Sequence, residues 1–106
     1  MSLTTHVLDA VSGRPAAGVP VTLLGGDHTV VTESTTDNDG RTGRLADDLP
    51  VGVYRLRFDT ATYFATQGID AFYPEIVVAF KITDAAANYH VPVLLSPYAY
   101  STYRGS

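Results

Sequence analysis

The chain has 106 residues, of which 45% are hydrophobic and 17% charged, and this balance predicts a single folded domain spanning residues 1–106. The net charge is −4 and the seven lysines and arginines are scattered, so we expect no nucleic-acid partner. Cysteine is absent, which excludes disulfides, thiolate catalysis and cysteine zinc sites. No apolar run is long enough to span a membrane. No export signal is visible, so we expect a cytoplasmic protein, or a periplasmic one if a leader was removed.

Short strands separated by turn signals fill the first half of the chain. Turns are predicted at 12–15, 25–28 and 37–40, where glycine, proline, asparagine and aspartate cluster. Val53–Asp59 alternates most clearly, with its aromatic and leucine residues on one face and two arginines on the other. In chain order, the strands are predicted over Leu3–Asp9, Val19–Leu24, Thr29–Thr35 and Val53–Asp59.

One short helix and further strands are predicted in the second half. The helix covers residues 60–67, with Asp59 or Thr60 as its cap and Gly68 at its end. An aromatic loop at 72–74 precedes the last strands. These are predicted over Glu75–Ile82, Asn88–Leu95 and, as a short final strand, Tyr98–Tyr103. Seven or eight short strands with a single helix indicate an all-β fold, an antiparallel β-sandwich.

The strand over Asn88–Leu95 is largely apolar on both faces. One face carries His90, Pro92 and Leu94, and the other carries Tyr89, Val91, Val93 and Leu95. A strand of a two-sheet sandwich is expected to present one polar face. We therefore expect a second subunit to cover the extra apolar face. The alternative is that a loop or the helix covers it within the same chain.

Few residues stand out chemically. His6 and His90 lie in predicted strands among apolar residues, where a histidine is more often structural than functional. His28 lies in a glycine-containing loop and is expected to be solvated, and Arg41 alone would be an exposed loop residue. No nucleophile elbow, phosphate loop or metal-ligand spacing is present. The adjacent Asp47 and Asp48 do not form an acid–base pair.

Several segments nevertheless resemble the transthyretin and 5-hydroxyisourate hydrolase family. Asn38–Arg41 matches an arginine-bearing turn of that family. Tyr103–Ser106 reads Tyr-Arg-Gly-Ser, the tetrapeptide that ends the hydrolases and that the hormone carrier transthyretin lacks. The family's two signatures are matched by Leu3–Asp9 with Gly13–Ala16, and by Phe72–Ile76 with Tyr89–Pro97.

This resemblance implies a transthyretin-like (prealbumin-like) sandwich of two four-stranded sheets with one short helix. It also implies a homotetramer whose sites lie at the dimer–dimer interface. Because the histidines lack metal-ligand spacing and cysteine is absent, we expect no metal and no other cofactor. Residue by residue, the family's catalytic positions fall on His6, Arg41, His90 and Ser106. Its substrate-binding positions fall on His6, Arg41, Tyr103 and Arg104.

The implied activity is the hydrolysis of 5-hydroxyisourate to 2-oxo-4-hydroxy-4-carboxy-5-ureidoimidazoline, a cyclic-amide opening in urate and purine degradation. A neutral imidazole is a suitable base for activating water near neutral pH. His6 and His90 both remain candidates for this base. Arg41 would stabilise the developing negative charge.

Two other functions fit the same fold. A transthyretin-type carrier would bind a small aromatic molecule in an apolar channel, whereas His6, Arg41, His90 and Tyr103 favour a polar one. A non-catalytic prealbumin-like module would suit segments such as Gly52–Leu56, but such modules usually belong to longer exported chains.

Overall fold

Alternating burial along the strands builds the core of the protein, whose computed structural model describes all 106 residues. In the first strand every odd-numbered residue from Leu3 to Asp9 is buried and every even-numbered residue is half-buried. The strand containing Tyr54, Leu56 and Phe58 buries these three in the same way, as its alternation predicts. The buried side chains of the two sheets meet in one hydrophobic cluster.

The chain forms nine strands and one helix, and the predicted elements are confirmed with ends that differ by one or two residues. The two-residue strands β2 and β5 were not predicted, because a pair of residues carries no periodicity. The elements are β1 (Ser2–Asp9), β2 (Arg14–Pro15), β3 (Pro20–Leu24), β4 (Val30–Thr35), β5 (Ala46–Asp47), β6 (Gly52–Phe58), α1 (Thr60–Ala65), β7 (Ile76–Ile82), β8 (Tyr89–Leu95) and β9 (Tyr100–Thr102).

The strands form two sheets, in the orders β2-β1-β8-β9 and β4-β3-β6-β7. Strands β2 and β5 pair with opposite ends of β1. The first sheet therefore contains five strands but is four strands wide, as expected. All pairs are antiparallel except β1 with β8, which are parallel. This exception to the predicted antiparallel pairing is possible because β1 and β8 are far apart in sequence and no tight turn sets their direction.

Helix α1 begins after Asp59, whose Oδ1 accepts a hydrogen bond of 3.1 Å from the backbone N–H of Thr62. The chain turns away at Gly68, where φ is 70°, a conformation that glycine adopts without strain. A helix this short depends on packing, and Tyr63 and Phe64 supply it by being buried against the sheets. No helix of the structure is long and apolar enough to cross a membrane.

A buried carboxylate ties this helix to the end of β1. Asp9 is 3% exposed, and its Oδ2 accepts a hydrogen bond of 2.7 Å from the Tyr63 hydroxyl. Its Oδ1 accepts the backbone N–H groups of Val11 and Ser12 at 2.9 and 3.2 Å. Burial, followed by the neighbouring Asp9, raises the pKa of Tyr63. The interaction fixes the helix against the sheet.

Replacing Tyr63 with phenylalanine should lower the free energy of unfolding by about 1–3 kcal/mol, because a buried carboxylate oxygen loses its only side-chain donor. Urea denaturation measures the change. Tyr98→Phe is the control, since Tyr98 is 72% exposed and its hydroxyl is solvated. Equal stability of the Tyr63→Phe variant and the parent would contradict a structural role for this hydrogen bond.

Candidate active site

The outer face of the β1–β8 pair carries both histidines that the sequence singled out. In the parallel register Thr4 lies opposite His90, and His6 lies opposite Pro92. Because side chains alternate along a strand, Thr4, His6 and His90 all point away from the core. Each of these three residues is half-buried, so this face is partly sheltered within one chain.

The turn at residues 37–40 places Arg41 beside His6. The Oδ1 atom of Asp37 accepts the backbone N–H groups of Asp39 and Arg41 at 2.8 and 3.0 Å, and Arg41 forms an antiparallel bridge with His6. Gly40 has a φ of 75°, and a side chain there would collide with the carbonyl oxygen of Val7. The turn therefore requires glycine, and it holds Arg41 at the edge of β1.

The segment that follows β9 returns to His90. The backbone N–H of Gly105 donates a 2.9 Å hydrogen bond to the carbonyl oxygen of His90, and the two residues form an isolated bridge. A Cβ atom at Gly105 would collide with Cδ2 of the imidazole and lie 3.1 Å from its Cγ. The Gly105 backbone thus packs directly on the histidine ring, and part of the apolar face of β8 is covered by the chain's own segment.

These elements meet at an open cavity of about 460 Å³. The structure brings three of the predicted residues together there, since His90, Arg41 and Ser106 all line it. His6 is not in the lining but adjoins it through Arg41. The other lining residues include Ser2, Thr4 and Asn88, so the walls consist mainly of polar groups that can hydrogen-bond a polar ligand.

Tyr103 and Arg104 lie outside this cavity. They line a neighbouring groove of about 280 Å³ beside β7, which shares only Tyr89 and His90 with the polar cavity. The guanidinium of Arg104 lies 4.8 Å from the centroid of the Tyr89 ring, a cation–π contact, and Tyr103 is 59% exposed. Within one chain they do not face the same space as Arg41 and Ser106, and their predicted contact with substrate stays a prediction.

Hydrogen bonds distinguish the two histidines. Nε2 of His6 lies 2.8 Å from the carbonyl oxygen of Asp39. Because a carbonyl only accepts, this nitrogen carries the hydrogen and Nδ1 is bare in the neutral ring. Nδ1 of His90 lies 2.8 Å from the Thr4 hydroxyl, and its Nε2 has no partner in the chain. His28, as expected, is exposed in its loop and lines no cavity.

Burial, with smaller contributions from the positive charge of Arg41 and from His6, lowers the pKa of His90. An imidazole with a lowered pKa is neutral at physiological pH and can accept a proton. No group of three or more histidine, aspartate or glutamate side chains is arranged to hold a metal ion. The cavity therefore combines a neutral imidazole, a guanidinium cation and a hydroxyl.

Sequence reasoning missed Thr4 and Asn88. Each lies two residues before a predicted histidine, Thr4 before His6 and Asn88 before His90, and so shares its face of the sheet by strand alternation. That spacing was the available signal. The pairing of Thr4 with His90 was not visible, because it depends on the register between two strands that are distant in sequence.

Comparison with known proteins identifies the family. Residues 3–105 match the model of the HIUase/Transthyretin family. The chain belongs to this family. It is 45% identical over 112 residues to a 5-hydroxyisourate hydrolase of Caulobacter vibrioides, with 98% of this chain and 97% of that protein aligned.

Two solved structures of the family show how far the shared fold extends. The structure of Klebsiella pneumoniae 5-hydroxyisourate hydrolase superposes with a TM-score of 0.92 at 34% identity and full coverage of both chains. Sea bream transthyretin in complex with thyroxine also superposes at 0.92, with 32% identity and coverage of 99% of this chain and 95% of that one. The family fold is thus shared by a hydrolase and by a thyroxine-binding protein, and the side chains must separate these functions.

Gly105→Ala should displace the segment around Ser106 while the sandwich stays folded, because the added methyl group collides with the His90 ring and not with the core. We expect a hydrolytic rate at least about 10-fold lower, as small displacements of positioned groups are costly. Ser34→Ala, on β4 of the other sheet, is the control. Full activity of Gly105→Ala would show that the contact with His90 does not position the site.

Proposed function

We propose that this protein hydrolyses 5-hydroxyisourate in urate degradation, by opening a cyclic amide of the substrate. The observation that carries the proposal is the convergence of His90, Arg41 and Ser106 on one polar cavity, with His6 adjoining. The full-length similarity to the 5-hydroxyisourate hydrolase of Caulobacter vibrioides supports it.

His90 is the better candidate for the base. Its Nε2 has no hydrogen-bond partner in the chain and its pKa is lowered, so a bare nitrogen is available at neutral pH. The Nε2 atom takes a proton from water as the water oxygen bonds to the amide carbonyl carbon. The carbon–nitrogen bond then breaks, and the same proton passes to the leaving ring nitrogen. The products are a ureido group and a carboxylic acid, which releases its proton to the solvent at neutral pH.

Arg41 acts on the charge that develops during this reaction, whereas His6 offers the substrate a hydrogen-bond acceptor. The carbonyl oxygen becomes negative when water adds, and the guanidinium of Arg41, which lines the cavity, stabilises it. The backbone bridge between Arg41 and His6 keeps their positions linked. His6 keeps its Nε2 hydrogen on the Asp39 carbonyl, so its Nδ1 is the nitrogen left to interact. Ser106, on the cavity wall, can orient the substrate through its polar groups.

A carrier of the transthyretin type is the main alternative, since the fold is the same. Carrier sites for aromatic molecules are mostly apolar with few polar groups. Here, residues such as Ser2, Thr4 and Asn88 join His90 and Arg41 in the lining. A cavity with this composition suits a small, polar, hydrogen-bonding substrate, which favours the hydrolase.

The purified protein should accelerate the decay of freshly generated 5-hydroxyisourate, followed by its absorbance. His90→Ala should reduce kcat/KM by about 10²- to 10⁴-fold, and Arg41→Ala by about 10²- to 10³-fold, with the fold retained. His28→Ala is the matched control, as His28 is exposed in a loop. No acceleration by the parent protein would refute the hydrolase, and equal damage from His28→Ala would refute the site assignment.

The pH profile tests the base. A base must be unprotonated, so kcat/KM should fall on the acid side, with a limb below the ordinary imidazole pKa of 6.5 because that of His90 is lowered. Arg41→Gln removes a positive charge, raises the pKa of His90 and should move the limb to higher pH. Arg41→Lys keeps the positive charge, so the acid limb of its profile should stay at the same pH as in the parent. Arg55→Gln, on the other sheet, is the control, and an unmoved limb in Arg41→Gln would contradict the assignment.

We further propose that the protein is a homotetramer with sites at the dimer–dimer interface. Strands β7 and β9 end their sheets, and their unpaired backbone groups can pair with those of a second copy. The outer face of the β1–β8 pair also presents two apolar side chains, Leu8 and Leu94, which are only half-buried within one chain. A dimer packing on this face would close the open cavity.

Sedimentation should give a mass near four chains at micromolar concentration. Leu94→Glu should split the tetramer into smaller species and reduce activity, because a charge would be buried at the dimer–dimer contact. Val53→Glu is the matched control, since Val53 is 41% exposed on the other sheet and its replacement should keep the tetramer. A fully active monomer would exclude a shared site.

A further inference from the structure

The Thr4 hydroxyl is the one side-chain partner of His90. The Oγ1 atom of Thr4 and Nδ1 of His90 are 2.8 Å apart, and the pairing follows from the parallel register of β1 and β8. Thr4 makes no other hydrogen bond through its side chain, and Nε2 of His90 makes none within the chain. The state of Nε2 therefore depends on which atom of the Thr4–His90 pair holds the shared hydrogen.

A hydroxyl can either donate or accept, so the hydrogen bond alone permits two arrangements. If Thr4 accepts, Nδ1 carries the hydrogen and Nε2 is a bare base. If Thr4 donates, Nε2 carries the hydrogen and the ring can only give one to a substrate. These arrangements assign opposite chemical roles to the same imidazole.

Arg41 selects between the two arrangements. It lines the same cavity as His90 and carries only donors and a permanent positive charge. An N–H dipole directed toward that charge is unfavourable, whereas a nitrogen lone pair in the same position is favourable. The cavity therefore favours a bare Nε2, which leaves the hydrogen on Nδ1 facing the Thr4 hydroxyl.

Resting on the proposed hydrolysis, we propose that Thr4 is a positioning residue for the reaction: its hydroxyl accepts the Nδ1 hydrogen of His90 and holds the bare Nε2 in the cavity. The same contact fixes the rotation of the ring, against which the backbone of Gly105 packs from the segment after β9. Because a hydroxyl is neutral, it orients the imidazole without the charge through which a carboxylate partner would hold the base protonated.

A hydroxyl-specific comparison tests this role. Thr4→Val has nearly the same shape but no hydroxyl, and should lower kcat about 10- to 100-fold, the range typical for loss of a group that orients a functional histidine, with KM little changed. Thr4→Ser keeps the hydroxyl and should recover most of the rate. Thr32→Val, a half-buried strand threonine of the other sheet, should leave the rate unchanged. Parent-like kcat in Thr4→Val, or equal losses in the valine and serine variants, would overturn the proposal.

A spectroscopic readout is independent of turnover. In the parent labelled with ¹⁵N-histidine, the neutral His90 ring should show a protonated Nδ1 and a bare Nε2, with the signals assigned by comparison with the His6 and His28 variants. In Thr4→Val the fraction of His90 that is protonated on Nε2 should increase. Thermal unfolding and sedimentation of this variant check that it is still folded. A protonated Nε2 in the parent would refute the proposal even if Thr4→Val failed to fold. A parent without hydrolase activity would refute the proposed function but leave this tautomer result standing.

Discussion

The parallel pairing of β1 and β8 is the constraint on which the site depends. Its register runs from Leu3 opposite Tyr89 to Asp9 opposite Leu95, and the odd-numbered side chains of both strands are buried in the core. Because the odd-numbered side chains of both strands face the core, the even-numbered side chains must share the opposite face. A slip of one residue would turn the side chains of the slipped strand to the opposite face, sending its histidine inward and separating Thr4 from His90. The hydrophobic core and the chemistry of the outer face are therefore fixed by the same pairing.

A face that is fixed by the core can change its chemistry without changing the fold. The structural match to a thyroxine-bound transthyretin is as good as the match to a hydrolase, so the backbone does not distinguish binding from hydrolysis. What distinguishes them is which side chains the outer face presents. In this chain they are His6, Arg41 and His90, with Thr4 and Asn88 beside them, and they present imidazoles, a cation and hydrogen-bonding groups.

More of the fold than of the site could be predicted from the sequence. Alternation in β6 and the glycine-rich turns predicted strand positions to within one or two residues, because these signals are local. The short strands β2 and β5 and the parallel direction of β8 were missed, because pairing between distant segments leaves no local pattern. For the same reason the resemblance identified the histidines, but the Thr4–His90 contact and the separation of Arg104 from Arg41 are visible only in the folded structure.

The site also shows why a small domain can hold a polar centre at modest cost to its stability. None of its groups belongs to the core, since His6, His90 and Thr4 are only half-buried and no buried side-chain nitrogen or oxygen lacks a partner. Polar groups on a sheet face keep access to water until something covers them. Full desolvation of His90 and Arg41, which would strengthen their electrostatic action, must then come from a covering subunit or from the substrate. A chain of 106 residues has little interior to spare, so closing the cavity by the proposed association would let it provide both a dry core and a polar site.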